Sequence, residues 1–312
     1  MARPPLGKTA WLALATVYVV WGSTYLGIDL AIRTIPPFLM AGVRFLIAGA
    51  ILYAWAIRRG DRSDRPTARH WLSAFLMATP MLAIGNAAVG WAEETVDTGT
   101  ASLIIASVPL WMALLDRIGY GQRVARSTVI GLVVGFAAVG FLAGPGGFGG
   151  RAFVLVFTSL AWSLGSLYAR TAPQPQRPSV SVGMQMLAAG LVLTVFAAAK
   201  GDYGRLDVGA ISLESWLGLL YLIVAGSLVA FSAYMWLLRN TATSLVGTYA
   251  YVNPVVAVLL GTVFLGEPLG WRTLVGGGVI VASVAMIVRS PKPKQQPAAE
   301  SRPIAVSPAR AR

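Results

Sequence analysis

The stretch Trp21–Asp61, WGSTYLGIDLAIRTIPPFLMAGVRFLIAGAILYAWAIRRGD, decides the fold, because it occurs twice. Displaced by 141 positions without a gap, Trp21 falls on Trp162, Leu26 on Leu167, Pro37 on Pro178, Gly42 on Gly183, Leu46 on Leu187, Gly49 on Gly190 and Gly60-Asp61 on Gly201-Asp202. From Trp71 onward the displacement is 145, placing Trp71 on Trp216, Trp91 on Trp236, Thr98 on Thr243, Pro109 on Pro254, Gly121 on Gly266, Thr128 on Thr273 and Gly131 on Gly276. Matches of Ala, Leu, Val or Gly arise by chance in so apolar a chain, whereas aligned Trp and Pro pairs do not. The chain is two halves descended from one unit.

Composition says where such a repeat lives. At 312 residues, 56% hydrophobic and 12% charged with a mean hydropathy of +0.68, the chain is too apolar for a soluble globular domain and is an integral membrane protein. The net charge of +13 would suit a nucleic-acid binder, but the basic residues lie in short loops and a tail between apolar runs. No nucleic-acid partner is expected. The absence of Cys excludes disulfides and thiolate metal sites. Arg3 and Lys8 precede an apolar run, residues 10–28, that is long enough to span and has no clear cleavage site after it. It is expected to be the first transmembrane helix, not a signal peptide.

Ten segments qualify or nearly qualify as spans: approximately 10–29, 37–57, 70–92, 98–117, 127–143, 153–170, 180–199, 214–236, 244–265 and 271–289. Nineteen of the 25 Lys and Arg residues then fall on the side of the N-terminus and the C-terminal tail. Five (Arg33, Arg151, Lys200, Arg205 and Arg272) fall opposite, and Arg44 alone lies inside a span. The positive-inside rule puts both termini in the cytoplasm. Five spans per half make the two halves enter the membrane from opposite sides, an inverted repeat of the kind that encloses a midplane site in secondary transporters. The expected organisation is a first five-helix repeat (1–143), a Gly-rich external linker (144–152), a second, inverted repeat (153–289) and a disordered cytoplasmic tail (290–312). Gly144, Gly146 and Gly149 in the linker match a dinucleotide-binding spacing, but no strand precedes them, and a flexible connection is the better reading.

Catalysis is not expected. His70 is the one histidine, at the cytoplasmic start of the third span, and no paired carboxylates, metal-spaced ligands or Ser-His-Asp set can be assembled at one depth. Asp29, Glu93, Glu94, Asp116, Glu214 and Glu267 all lie near span ends and are expected to be interfacial, so proton coupling through a buried carboxylate is not expected. Arg44 differs, being seven residues in from Pro37 and so about 10 Å down its helix. It either bonds backbone carbonyls or snorkels, or it gates the cavity or attracts a carboxylate.

The wall of a solute cavity should show as a polar-aromatic stripe at helical spacing. The first span offers Tyr18, Trp21 and Tyr25, and its repeat partner, the sixth, offers Ser159, Trp162, Ser163 and Ser166. Asn86, Ser102, Tyr234, Thr248, Tyr251 and Asn253 extend the list, while Pro109 and Pro254 each free a backbone carbonyl within the membrane and read as gating or structural. Each small polar residue could instead glue helices together. Trp11, Trp55, Trp71, Trp111, Trp216 and Trp271 read as interface anchors.

Trp21-Gly22-Ser23, Arg44-Phe45, Pro109, Trp162, Tyr249-Ala250-Tyr251-Val252-Asn253-Pro254 and Leu265-Gly266-Glu267-Pro268 together resemble the EamA-type proteins of the drug/metabolite transporter superfamily, over residues 10–289. Within it the chain is most similar to bacterial amino-acid and metabolite exporters of the YddG-like type. The resemblance implies an all-α, ten-helix inverted-repeat carrier of the inner membrane, with spans 1, 3, 4, 6, 8 and 9 around a central cavity and spans 5 and 10 peripheral. No cofactor and no metal are expected; the expected partners are a small-molecule solute and the lipid bilayer, with a homodimer left open. The residues favour a neutral or zwitterionic solute with an apolar or aromatic side chain, since too few deep cations exist for a nucleotide sugar and no deep acid exists for a lipophilic cation. The expected activity is export by alternating access, facilitated and downhill, with an ion-coupled multidrug or metabolite efflux carrier as the alternative. A channel and a membrane enzyme acting on lipid are the rivals from other classes.

Overall fold

The computed structural model describes residues 7–59, 65–120, 126–143, 149–241, 246 and 248–289. The expected tail (290–312) and most of the expected Gly-rich linker (144–148) lie outside them. Every regular element among the described residues is a helix, as a chain of apolar runs requires where lipid cannot hydrogen-bond the backbone. In chain order these are α1 (Lys8–Ile32), α2 (Pro37–Arg58), α3 (Ala68–Ala78), α4 (Gly85–Glu93), α5 (Thr98–Ile105), α6 (Val108–Tyr120), α7 (Arg126–Ala143), α8 (Gly150–Tyr168), α9 (Pro178–Ala199), the short α10 (Asp202–Arg205), α11 (Leu213–Tyr221), α12 (Phe231–Asn240), α13 (Tyr249–Leu260) and α14 (Trp271–Arg289). Seven helical rods are long and apolar enough to cross a membrane: Lys8–Ile32, Pro37–Arg58, Ala68–Glu93, Thr98–Gly119, Gly150–Tyr168, Pro178–Ala199 and Leu213–Tyr234. Shorter apolar runs, Arg126–Leu142, Val252–Leu265 and Trp271–Met286, occupy the remaining three expected positions.

Local chemistry sets the ends of these rods. Pro37 and Pro178 open their helices at the first position, where a missing N–H goes unnoticed. His70 completes a capping box with Thr67: the Thr67 hydroxyl accepts from His70 N (3.4 Å) and His70 Nδ1 from Thr67 N (3.3 Å). The one histidine is thus engaged in starting a helix.

The repeat-matched glycines are where the halves meet. A Cβ on Gly49 would lie 2.8 Å from the Leu187 nitrogen, and one on Gly190 would lie 2.7 Å from the Leu46 nitrogen. Gly49 matches Gly190 and Leu46 matches Leu187, so the two contacts are one contact seen from both halves. Such reciprocity is what a twofold relation between α2 and α9 produces, and Gly42 and Gly183 extend it at Thr194 and Tyr53. The α7 and α14 helices form a second close pair, Gly135 packing on Leu110 and Ser283 and Gly276 on Leu142.

Ile51, Phe75, Val133, Phe153, Val195, Leu220 and Val263 stand exposed around the bundle, the surface a bilayer covers. Trp11, Trp55, Trp71, Trp216 and Trp271 are exposed near helix ends. Trp111 is not an interface anchor as expected: its indole nitrogen is buried without a hydrogen-bond partner among the described residues and its ring packs edge-on against Phe136, centroids 4.7 Å apart, because α7 covers that face of α6.

Candidate functional site

Breaks in the helices shape the centre of the bundle. Between α3 and α4 lies a π-helical segment, Thr79–Ile84, and between α11 and α12 lies another, Leu222–Ala230. The displacement of 145 that relates the halves carries the first into the second. Wide turns of this kind leave carbonyls free of the ordinary ladder, and Trp21 Nε1 donates to one of them, the Gly226 oxygen, at 3.3 Å. Pro109 sits in the first turn of α6, directly after the break from α5, where it disturbs little; its repeat partner Pro254 stands inside α13 and removes a helical hydrogen bond there.

These elements enclose a cavity of about 120 Å³, room for several waters or a small solute. Of the twelve residues expected to bind solute, Trp21, Tyr25, Asn86, Ser102, Trp162 and Asn253 line it, and so does Pro254. Trp21 is wedged among Phe231, Tyr234 and Tyr249, with centroids 5.7, 4.8 and 5.3 Å away. Trp162 lies against Gly85, where a Cβ would come within 2.9 Å of the ring. In the orientation that satisfies its neighbours, the Asn253 amide donates to the carbonyls of Tyr249 and Tyr18, both at 3.2 Å.

The other expected residues lie elsewhere. Ser163 and Ser166 sit on the stripe of α8 but do not reach the cavity: Ser163 is buried, donating to the Ser159 and Val108 carbonyls (2.8 and 3.1 Å), and Ser166 donates to Trp162 O (2.8 Å). Tyr18 and Thr248 are hydrogen-bonded to each other, and Tyr234 supports Trp21 from behind. Pro109 is not on the cavity wall, and the Tyr251 side chain lies outside the described residues.

Arg44 does not snorkel. It is 5% exposed, donates from Nε to Ser227 Oγ at 2.9 Å, stacks its guanidinium over Phe45 and faces the cavity. No carboxylate pairs with it among the described residues. Sequence reasoning passed over Thr24, Thr158 and Phe231 on the wall. The buried Thr158 hydroxyl has no hydrogen-bond partner among the described residues, and a lone Thr in an apolar run gives no signal that would single it out.

Among the acids, Glu93 departs from expectation. Eight of them, among them Asp29, Glu93, Glu94, Glu214 and Glu267, gather at the end of the bundle opposite the basic loops, here called the acidic end. Arg33 bonds Asp29 (3.1 Å) and Glu214 (2.7 Å), and Arg151 bonds Glu94 (2.5 Å). Glu267 accepts from the backbone N–H groups of Thr98 and Gly99 at 2.7 and 3.1 Å, its carboxylate seated on the positive end of α5. Asp97, before that helix, has its carboxyl pushed up from the ordinary value by partial desolvation and the Glu267 charge. Glu93 is not interfacial: it is only 7% exposed, and neither oxygen has a hydrogen-bond partner among the described residues. Packing of α4 against α1, α2, α5 and α8 covers it.

Comparison with known proteins agrees with this architecture. The EamA-like transporter family model matches the chain twice, over residues 8–144 and 151–289. The chain is 38% identical over 285 residues to the uncharacterized inner membrane transporter YedA of Escherichia coli, covering 88% of this chain and 89% of that one. It is 26% identical to the uncharacterized transporter YvbV of Bacillus subtilis (96% and 97% covered). It is 27% identical to a probable terminal-alkyne amino-acid exporter of Streptantibioticus cattleyicolor (91% and 94% covered). A solved crystal structure shares the fold, with a TM-score of 0.63 at 20% identity over 90% of this chain and 96% of that one.

Proposed function

The chain belongs to the EamA-like transporter family of the drug/metabolite transporter superfamily, and from that premise we propose that it exports neutral or aromatic amino acids and related small metabolites by alternating access. The bacterial inner membrane is its place, with both termini cytoplasmic, a reading supported by the relatives' names and by the Lys and Arg asymmetry. One observation carries the substrate class. Arg44 presents a buried guanidinium without a carboxylate partner to a cavity walled by Trp21, Tyr25 and Trp162. A buried cation calls for an anion, and the guanidinium fork matches a carboxylate. The aromatic walls suit an apolar or aromatic side chain, and Asn86, Ser102, Thr158 and Asn253 offer polar contacts for an ammonium group. The amino-acid exporter among the relatives supports the same class.

The test is flux of labelled amino acids into liposomes holding the purified protein. Saturable flux of neutral or aromatic amino acids is expected, with weak competition from the corresponding amino-acid amides, which lack the carboxylate. Equal competition by the amides would remove Arg44 as the carboxylate partner. Conductance far above carrier rates would turn the reading toward a channel.

A further inference from the structure

Glu93 is a buried ionisable group, one turn from the cavity, that solute binding leaves unused. It ends α4 one turn beyond Val89, which lines the cavity, so it stands about 6 Å nearer the acidic end than the cavity wall. Among the described residues, the charged groups on the elements packed against α4 offer it no partner. From α1 come Tyr25 and Asp29, and Arg33 already bonded to Asp29 and Glu214; from α2, Arg44, bonded to Ser227; from α8, Arg151, bonded to Glu94 and to the Trp91 carbonyl. Asp97 heads α5, and the Glu267 charge acts on Glu93 from the loop after α13. An ionised carboxylate in that setting, shielded from water and beside two further acids, is disfavoured. A neutral carboxylic acid avoids that cost.

Resting on the carrier reading above, we propose that Glu93 is the proton site of this transporter: it holds a proton in the arrangement seen here, and one proton enters for each solute exported. When the acidic end opens to external water, the Glu93 carboxylate takes a proton from that side and an O–H bond forms. Closure buries the neutral acid. When the cavity opens at the basic end, the O–H bond breaks, water on the cytoplasmic side accepts the proton, and solute enters. No other bond changes. Glu267 links this event to the gate, because it belongs to the second half and clamps the start of α5 in the first. A charge on Glu93 would add a third negative group beside Asp29 and Glu267 and favour parting of the halves there.

Two measurements test the proposal, each on the full chain and on Glu93→Gln. The first needs no solute: with spin labels at Thr95→Cys and Gly270→Cys in this cysteine-free chain, the distance across the acidic end should be short at acid pH and lengthen as pH rises. In Glu93→Gln it should stay short. A pH-indifferent distance, or the same response in Glu93→Gln, overturns the proposal. The second uses the labelled amino acids in liposomes with the membrane potential clamped. Making the acidic-end side one pH unit more acid should concentrate solute there about tenfold, whereas Glu93→Gln should show no such pH-driven accumulation. Flux indifferent to the gradient overturns coupling while leaving the carrier intact. Failure of every amino acid to move would overturn the substrate class instead, with the label distances still deciding the proton site. Glu93→Asp, which restores the acid, should restore the pH response.

Discussion

Arg44 and Glu267 show what one charged side chain can do when its surroundings are fixed. Arg44 is held by Ser227 and Phe45, so its guanidinium keeps one direction, toward the cavity. Replacing it with Gln should raise the KM for amino acids by about ten- to a hundredfold, the loss of a charge-assisted pair worth roughly 1.5–3 kcal/mol. Lys should recover part of that, as a point charge without the fork; the concentration dependence of flux reads both. Glu267 seats on the Thr98 and Gly99 N–H groups, and Gly261 leaves room for it, since a Cβ there would overlap the carboxylate. Glu267→Ala should therefore cost about 2 kcal/mol, seen as a lower unfolding temperature in detergent, with Gln intermediate. An unchanged unfolding temperature would mean that the clamp contributes nothing to stability.

At the scale of elements, the α2–α9 crossing is set by backbone proximity, which only glycine permits. A side chain at Gly190 has the Leu46 backbone 2.7 Å from its Cβ, and a flexible neighbour cannot relieve a backbone contact. Gly190→Leu should destabilise by at least about 1–3 kcal/mol, and Gly49→Leu by a similar amount because the repeat makes the sites equivalent. Thermal unfolding of the two variants checks both magnitude and symmetry. A large asymmetry would mean that the crossing is not a true twofold contact. By contrast, Gly278 meets nothing within 4 Å, and Gly278→Ala should be close to neutral or slightly stabilising.

For the molecule as a whole, ties between the halves occur at both ends. The hydroxyls of Thr34 and Ser215 lie 2.8 Å apart at the acidic end, beside the Arg33–Glu214 pair, and Arg177 donates to the Ala56 carbonyl at the basic end. Alternating access, as proposed above, requires rocking of the halves to break these ties alternately. With no native Cys to interfere, a disulfide between Thr34→Cys and Ser215→Cys should abolish flux, and reductant should restore it. Full flux through the cross-linked protein would rule out opening at that end.

The sequence by itself determined that the chain is an all-helical membrane protein built from two related halves. An apolar run long enough to span leaves its backbone no partner but itself, and a repeated pattern of Trp, Pro and Gly survives in any linear reading. The depth of Arg44 was legible too, since depth along one helix is a matter of counting residues, whereas its direction and the meeting of the repeat-matched glycines at the α2–α9 crossing were not. What only the tertiary structure decided is which residues on a shared stripe reach the cavity, and which acid loses water. Ser159 and Ser163 lie one turn apart on α8, yet only Ser159 meets the cavity, because periodicity gives a face and not the position of the helix packed against it. Glu93 counts as a helix-end residue in sequence and becomes a buried acid only where α1, α2, α5 and α8 converge on α4. Burial belongs to the neighbours a residue acquires from distant parts of the chain, and no local pattern records them.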